Sequence, residues 1–410
     1  MTAPRRAPGP SSGGPAHAAA ERVARESYGR LVAVLAASTG DVALAEDALA
    51  SAFETALASW PDAGVPASPE GWLLTVARNR QRDVWRSAAR RTSVPIEETD
   101  AVSPDPLADL DPLRIPDRRL ELLFVCAHPA IDPAARTPLM LQLVLGFDAQ
   151  QIATAFAVPP AAMAQRLVRA KRRIRDAGIP FVVPDRRAMP ERLPAVLEAI
   201  YACASITWRA DAGELAAEAG FLAMLLAQLL GDEAEAWALA ALISFSLSRR
   251  GAAVGDFVPL DEQDPRDWDA ELIADGDAAL RRASACGGAL GRFRIEAAIQ
   301  AVHAARRRTG RTDDAALRTL HLALVQTAPS LGARVALAAV LGRTDGPDAG
   351  LAALPADAEG FQPWWATRAR LLAAAGRPAE ARAAFERAAA LAEDAAVQAY
   401  LREQAESLPR

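Results

Sequence analysis

Residues 148–178 read DAQQIATAFAVPPAAMAQRLVRAKRRIRDAG, and this stretch has the pattern of two helices joined by a tight turn. Asp148 stands at the start of a short helix as its cap, and residues 157–159 interrupt that helix. Pro159 or Pro160 then opens a longer helix, because proline is favoured at the first helical position. The spacing predicts a helix-turn-helix, whose second helix places its N-terminal residues at the edges of DNA bases.

The longer helix carries six basic residues between Arg166 and Arg175. Residues near its N-terminal end are candidates for reading bases, and those further along are better placed to bind phosphates. The first group is Ala161, Ala162, Gln165, Arg166 and Arg169, and the second is Lys171, Arg172, Arg173 and Arg175. Because an alanine side chain offers no hydrogen bond, we expect base reading to depend on Gln165 and Arg166.

A second cationic helix is predicted earlier in the chain, where Ser68 and Pro69 form a helix-start signal. Residues 71–91 contain six arginines and a single aspartate, Asp83, and their apolar side chains gather at one end. Such a helix can follow a phosphate backbone through the release of counterions, or it can present a merely solvated surface. Between the two basic helices, residues 96–117 form an acidic, proline-rich linker that cannot be helical.

The composition predicts an all-α protein of two or three domains, since the 410 residues are 51% hydrophobic and only 5% aromatic. No apolar run reaches the ~20 residues needed to cross a bilayer, so we expect a cytoplasmic protein with a disordered tail over residues 1–20. The three cysteines lie far apart in the sequence and form no CxxC pair, so we expect them to be buried small side chains. The acidic cluster of residues 261–269 lacks the glycine of a calcium loop, so it predicts helix capping. No spacing of residues indicates a metal site, a cofactor or an enzyme active site.

Helical periodicity also marks residues 21–37 and 42–59, and it returns over most of the chain after residue 190. Near the end, residues 364–395 predict a helical hairpin that turns at Gly376. Its packing residues follow the spacing of a tetratricopeptide repeat. They are Trp365, Leu372, Ala381, Phe385 and Ala388. Because a single repeat cannot bury its own face, the preceding helices must cover it.

These segments together resemble an extracytoplasmic-function RNA polymerase sigma factor of the subfamily with a long C-terminal, tetratricopeptide-like extension. The run from SYGRLV at residue 27 to SAARR at residue 91 resembles sigma region two. The run from LELLFV at residue 120 to GIPF at residue 181 resembles region four. The implied domains are region two over 21–95, region four over 118–180 and a helical regulatory domain over 190–410.

The resemblance implies a role for each region. Region two would bind the polymerase core and open the −10 element, with residues 61–70 as the base-capturing loop. Its implied DNA contacts are Asn79, Arg80, Arg82 and Arg86, and its implied polymerase contacts are Glu46, Asp47 and Phe53. Region four would bind the −35 element, and the acidic linker would thread a positively charged polymerase channel, unless it is only a solvated spacer. The implied partners are therefore core polymerase, promoter DNA and a protein partner of the C-terminal domain.

Two departures from the family pattern affect this interpretation. The docking pattern Asp-x-x-Gln-acid-x-Phe retains Asp47 and Phe53, but its glutamine and acid positions are Ala50 and Ser51. Residues 201–208 read YACASITW, where the subfamily normally has a stretch of asparagine, glutamate, glycine and tyrosine. The alternative hypothesis is therefore a sigma-derived scaffold whose polymerase docking is weakened and whose C-terminal domain binds a protein.

Overall fold

The computed structural model describes residues 14–91, 117–207, 213–251, 257–356 and 358–409. Over these ranges every regular element is a helix and no strand occurs, which confirms the all-α prediction. The helices form two compact units, and the boundary between them falls between Leu215 and Ala216. The predicted linker at 96–117 lies outside the described residues, apart from its last residue.

The first unit contains nine helices among the residues described before α10. They are α1 Pro15–Glu26, α2 Tyr28–Thr39, α3 Val42–Ala63, α4 Pro69–Arg91, α5 Arg119–Cys126, α6 Pro133–Leu143, α7 Ala149–Ala155, α8 Pro160–Asp176 and α9 Met189–Thr207. The helix α10, Gly213–Leu230, crosses the boundary between the units.

Local capping explains where several of these helices begin. The Asp41 carboxylate accepts a hydrogen bond from the Leu44 amide at the start of α3, and the Ser68 hydroxyl accepts one from the Gly71 amide at the start of α4. Such caps satisfy backbone N–H groups that have no partner within the helix. The predicted start of α4 at Ser68 and Pro69 is thereby found in the structure.

The start of the chain differs from its prediction. The disordered tail expected over residues 1–20 is wrong from Pro15 onward, because α1 begins there and buries Ala16, Ala19 and Ala20. The single helix expected over 21–37 is two helices that meet at Ser27. The helix expected over 42–59 continues to Ala63, so the loop that was expected over 61–70 is shorter.

The domain boundary also differs from its prediction at residue 190. Helix α9 packs against α5 and α6 and belongs to the first unit. The two segments predicted as separate domains, 21–95 and 118–180, lie in this same unit, where α2 contacts α5 and α6 and α3 contacts α8. The first unit therefore holds both basic helices.

The second unit is a further series of helices. They are α11 Ala234–Leu247, a short 3-10 helix at Pro265–Asp267, α12 Ala270–Ala285, α13 Arg292–Ala304, α14 Arg306–Thr309, α15 Asp314–Thr327, α16 Leu331–Thr344, α17 Pro347–Ala353, α18 Gln362–Ala374, α19 Pro378–Leu391 and α20 Ala395–Ser407. Each packs mainly on its neighbours in the chain. The stretch expected as one helix over 379–405 is two helices, α19 and α20.

The predicted hairpin is formed by α18 and α19. Gly376 joins them with a positive φ of 71°, a conformation that glycine adopts without steric cost. Four of the five residues predicted to pack there lie in one buried cluster, and the fifth, Trp365, is partly buried against it. The four are Leu372, Ala381, Phe385 and Ala388.

The acidic cluster of residues 261–269 caps helices, as its sequence predicts. The Asp269 carboxylate accepts hydrogen bonds from the Glu271 and Leu272 amides at the start of α12, and Asp264 caps the 3-10 helix. Asp261 forms an ion pair with Arg370 of α18. These acids therefore fix residues 261–269 in place before α12.

Candidate nucleic-acid and polymerase interface

One long surface of α4 is cationic and faces solvent. The predicted DNA contacts on this helix are all exposed: Asn79, Arg80, Arg82 and Arg86. Its opposite side buries Leu73 and Ala77 against the rest of the unit. Near its start, the Trp72 ring meets Trp60 of α3 edge to face, with ring centroids 5.5 Å apart, which fixes α4 against α3.

Sequence analysis missed one residue of this surface, Trp85. Its side chain is 58% exposed and lies between two exposed arginines, Arg82 and Arg86. A large aromatic side chain is seldom left in water without a partner, and aromatic rings interleaved with arginines can stack on unpaired bases. The signal was present in the sequence as a tryptophan on the charged side of an amphipathic helix. The cationic surface of α4, with Trp85 added, is therefore suited to single-stranded nucleic acid.

The predicted polymerase contacts on α3 have three different surroundings. Asp47 is exposed, as is Ala50 one turn further on, and Phe53 is partly buried. Glu46 instead faces α8, where its carboxylate lies 2.7 Å from the ammonium nitrogen of Lys171. The structure therefore leaves Asp47 open to a partner and gives Glu46 a partner within the same chain.

Helices α7 and α8 lie where the sequence predicts a helix-turn-helix. Asp148 and Gln151 cap α7 reciprocally, each side chain bonding the other's backbone amide at 2.8 Å and 2.9 Å. The turn between the helices contains Ala157 with a positive φ of 50°. Helix α8 then buries four apolar side chains in the unit, namely Met163, Leu167, Ala170 and Ile174.

The outward side of α8 presents five of the predicted DNA contacts to solvent. They are Ala161, Ala162, Gln165, Arg169 and Arg172. Two other arginines of the helix hydrogen-bond within the unit. Arg166 donates to the carbonyl of Ala134 in the first turn of α6 at 3.3 Å, and Arg173 donates to the carbonyl of Ala130, between α5 and α6, at 3.2 Å. The predicted phosphate contact Lys171 is turned inward to Glu46.

Burial controls the chemistry around the Glu46–Lys171 pair. It raises the pKa of the Glu46 carboxyl group above its ordinary value, and the neighbouring Lys171 ammonium opposes that rise. Burial likewise raises the pKa of Tyr28, a phenol that lies close enough to feel the charges of Glu46 and Asp47. The fully buried thiol of Cys126 in α5 also has a raised pKa because of burial. The pair is therefore set among α2, α3, α5 and α8.

A metal site and a membrane-spanning helix were also sought among the described residues. No group of three or more histidine, cysteine or acidic side chains is placed to hold a metal ion in the part of the chain described. In that part, no helix is long and apolar enough to cross a membrane.

Comparison with known proteins agrees with this geometry. Residues 23–91, which end with α4, match the family model for Sigma-70 region 2. Residues 192–284 match a family of unknown function (DUF6596). The Sigma-70 region 2 match thus spans both the exposed acid Asp47 of α3 and the cationic surface of α4.

Two relatives extend the comparison. The "Uncharacterized protein R00370" of Rhizobium meliloti (strain 1021) is 38% identical over 385 residues, which cover 89% of this chain and 90% of that protein. The chain belongs to the same family as this Rhizobium protein. The "Probable RNA polymerase sigma factor RfaY" of Xanthomonas campestris pv. campestris is 31% identical over 173 residues, 39% of this chain and 42% of that protein. No solved structure matches the chain.

Proposed function

We propose that this protein is an extracytoplasmic-function sigma factor that binds RNA polymerase core and directs it to promoters. In this proposal α3 docks on the core enzyme, α4 binds the −10 element and α8 binds the −35 element. The observation that carries the proposal is the exposed surface of α4 within the Sigma-70 region 2 match, where three arginines, Asn79 and Trp85 are all open to solvent.

The chemistry of α4 suits a promoter that must be opened. Guanidinium groups bind phosphates of either strand whatever the sequence, and each contact releases counterions. A base that leaves the duplex needs an apolar surface on which to stack, and Trp85 supplies one on the same helix. The loop between α3 and α4 is the candidate for capturing a base that has left the stack.

The role of α8 is supported by the helices before it. A capped short helix, a tight turn and a longer helix with an exposed N-terminal half together support a helix-turn-helix here. Gln165 and Arg169 are then the exposed candidates for reading bases, and Arg172 for binding a phosphate. The Lys171 contact to DNA, expected from sequence, requires that its bond to Glu46 first be broken.

We assign a regulatory role to the second unit. It is built of successive helix pairs, including the α18–α19 hairpin with tetratricopeptide-like spacing, and such arrays present extended surfaces to proteins. A protein partner of this unit is the class of signal that the proposal expects.

The test is run-off transcription from genomic promoters with purified core polymerase and the full-length protein. The wild type should give transcripts with defined start sites that core alone does not give. The double variant Arg80→Ala and Arg82→Ala should lose most of these transcripts while still binding core. Arg308→Ala removes an exposed arginine of the second unit and serves as the matched control. Absence of core binding and of specific transcripts by the wild type would refute the proposal and favour the scaffold hypothesis.

A further inference from the structure

Three helices of the second unit, α13, α15 and α16, share an apolar core that includes basic side chains. The core is built from aliphatic side chains that include Ile295, Ile299, Leu317, Leu324 and Val340. His303 lies one turn beyond Ile299 on α13, and His321 lies between the two leucines of α15. Arg343 lies one turn beyond Val340 on α16. Helical spacing therefore puts three basic side chains on the faces that form this core.

These three side chains lie at the same end of the helices. The start of α15 meets the end of α16, where the Arg343 guanidinium lies 2.8 Å from the Asp314 carboxylate. His303 is close enough to Arg343 and His321 for their positive charges to lower its pKa. The Arg343 side chain is 46% exposed, so this end of the core borders on solvent.

Two further guanidinium groups reach the same place beside one indole ring. The guanidinium carbons of Arg249, after α11, and Arg306, at the start of α14, lie 5.9 Å and 5.4 Å from the centroid of the Trp268 ring. Trp268 is only 2% exposed, and Arg249 is only 5% exposed. The charges of both arginines act on His303. Two permanent positive charges are therefore held close to the histidines.

The hydrogen bonds of these two arginines position them on neutral acceptors. Arg306 donates to three backbone carbonyls within residues 260–263, at distances between 2.6 Å and 3.2 Å. Arg249 donates to the side-chain carbonyl of Gln300 at 2.7 Å. Carbonyl oxygens carry no net charge, so these contacts fix the guanidinium groups without cancelling their charges.

His321 contributes a buried nitrogen that is not used. The residue is 8% exposed, and in the part of the chain described its Nδ1 atom is buried without a hydrogen-bond partner. Such an atom is uncommon in a folded protein and indicates room for a ligand atom or an ion. Burial and nearby positive charge lower the pKa of His303 and of His321 to about 4, and burial lowers the pKa of Arg249 to about 10. These surroundings disfavour positive charge, and a bound anion would reverse that effect.

We propose that these side chains form a binding site for a phosphate group, carried by orthophosphate or by a small phosphomonoester. Arg249 and Arg306 supply two fixed positive charges, which match the charge of about −2 on a phosphate. His303 and His321 supply ring nitrogens that donate to phosphate oxygens, and they take up protons as the anion binds. The site lies wholly within the second unit, so the proposal goes beyond the sigma function and does not depend on it.

The first experiment uses the wild-type, full-length protein with carbon-13 at the histidine Cε1 atoms. The chain has four histidines, so NMR spectra compare His303 and His321 with two internal controls in the first unit, His17 and His128. Titration with sodium phosphate at neutral pH should shift the two site signals to saturation, with half-saturation at about 1 mM or below. Sodium chloride at matched ionic strength should shift neither. Glycerol 3-phosphate then tests a phosphomonoester, and sodium acetate tests a carboxylate.

The same signals report how the anion changes the protonation of His303. The charged and titratable groups that act on this ring from the neighbouring elements are Arg249, Arg306, His321 and Arg343, with Asp314 paired to Arg343. Without phosphate the His303 signal should titrate near pH 4. Saturating phosphate should move the midpoint toward the ordinary value of 6.5, because the anion stabilises the imidazolium. Chloride should leave the midpoint in place.

The second experiment measures phosphate binding by calorimetry in two double variants, each of which removes two of the four histidines. The site variant, His303→Gln with His321→Gln, should bind inorganic phosphate at least about tenfold more weakly, as expected for the loss of a charge-assisted hydrogen bond. The matched control, His17→Gln with His128→Gln, should bind phosphate like the wild type. If the site variant does not fold, the titration of the wild-type protein decides the question by itself.

The outcomes are distinct from those of the transcription test, since no measurement involves polymerase. Saturable shifts that phosphate causes at His303 and His321 alone, together with weaker binding in the site variant alone, support the proposal. Equal shifts with chloride, shifts at all four histidines or a failure to saturate would overturn it. A folded site variant that binds phosphate as tightly as the wild type would also overturn it, and an equal response to acetate would overturn the assignment to phosphate.

Discussion

Arg172 and Arg173 are adjacent on α8 and both exposed, yet the structure gives them different surroundings. Arg173 donates a hydrogen bond to the Ala130 carbonyl at 3.2 Å, which draws its side chain toward the unit. Arg172 has no hydrogen bond or ion pair to any residue in the described ranges. We therefore expect Arg172 to bind a DNA phosphate and Arg173 to contribute mainly to the stability of the unit.

The magnitudes follow from this difference. Each phosphate contact contributes about 0.9 to the slope of log K against log salt, so Arg172→Ala should lower the slope by about that amount. Between about 50 and 200 mM salt, the wild type should then lose about threefold more affinity than the variant. Arg173→Ala should leave the slope unchanged and lower the free energy of unfolding by about 1 kcal/mol, the net contribution of an ordinary hydrogen bond.

The assay is a competition binding series with the full-length protein saturated by core polymerase, on −35 DNA and on scrambled DNA of equal length. Because a phosphate contact carries no sequence information, the loss in Arg172→Ala should be equal on both DNAs. Gln165→Ala should cost about 1–3 kcal/mol on the preferred site and much less on scrambled DNA. Equal slopes for Arg172→Ala and Arg173→Ala, or no slope change in either, would show that α8 does not bind DNA in this orientation.

Three further outcomes are expected. Burial and neighbouring arginines lower the pKa of His303 from 6.5 to about 4. Burial and Arg343 lower the pKa of His321 to the same value. The unfolded chain thus binds protons that the folded chain does not, and the free energy of unfolding should fall by about 2 kcal/mol per histidine between about pH 7 and pH 5. In urea titrations, the double variant His303→Gln and His321→Gln should show a smaller fall. Ala50→Gln with Ser51→Glu should tighten core binding several-fold, measured by fluorescence anisotropy. Trp85→Ala should reduce permanganate-detected promoter opening while core binding stays unchanged.

Local sequence signals were sufficient for much of the fold. The reciprocal cap of Asp148 and Gln151, the Ser68 start of α4 and the Gly376 turn each involve residues within a few positions of one another. Such features depend on local backbone hydrogen bonds, and the residue types that favour those bonds can be recognised in the sequence. The split of residues 148–176 into a short and a longer helix was accordingly predictable.

The break between α1 and α2 was not predictable by the same means. Helical periodicity runs through residues 21–37 without a proline, and Gly29 alone suggests only a weak helix. The structure supplies the reason, since Gly29 packs on Val144, which lies more than a hundred residues further along the chain. Helix α2 must take the direction that this contact needs, and the chain bends at Ser27 to provide it.

The candidate site likewise contains residues that could be assigned from local sequence and residues that could not. The arginines of α4 and the outward residues of α8 could be assigned from helical spacing, because exposure on an amphipathic helix follows from the pattern of its apolar side. The partner of Lys171 could not be assigned in this way, because Glu46 is 125 positions away and no feature of either helix indicates the pairing. Sequence analysis therefore assigned both residues to external partners, and the structure joins them to each other.

The identity of the residue at this contact bears on how it works. The other 45 basic residues of the chain are arginines. An arginine at this position would bind the Glu46 carboxylate through two parallel hydrogen bonds. A lysine ammonium is a compact and strongly hydrated charge, so water recovers more of its free energy when the pair separates. Breaking a buried pair is costly when one charge stays behind unpaired. A lysine therefore suits a contact that must break before this side chain can bind a DNA phosphate, as the proposed function of α8 requires.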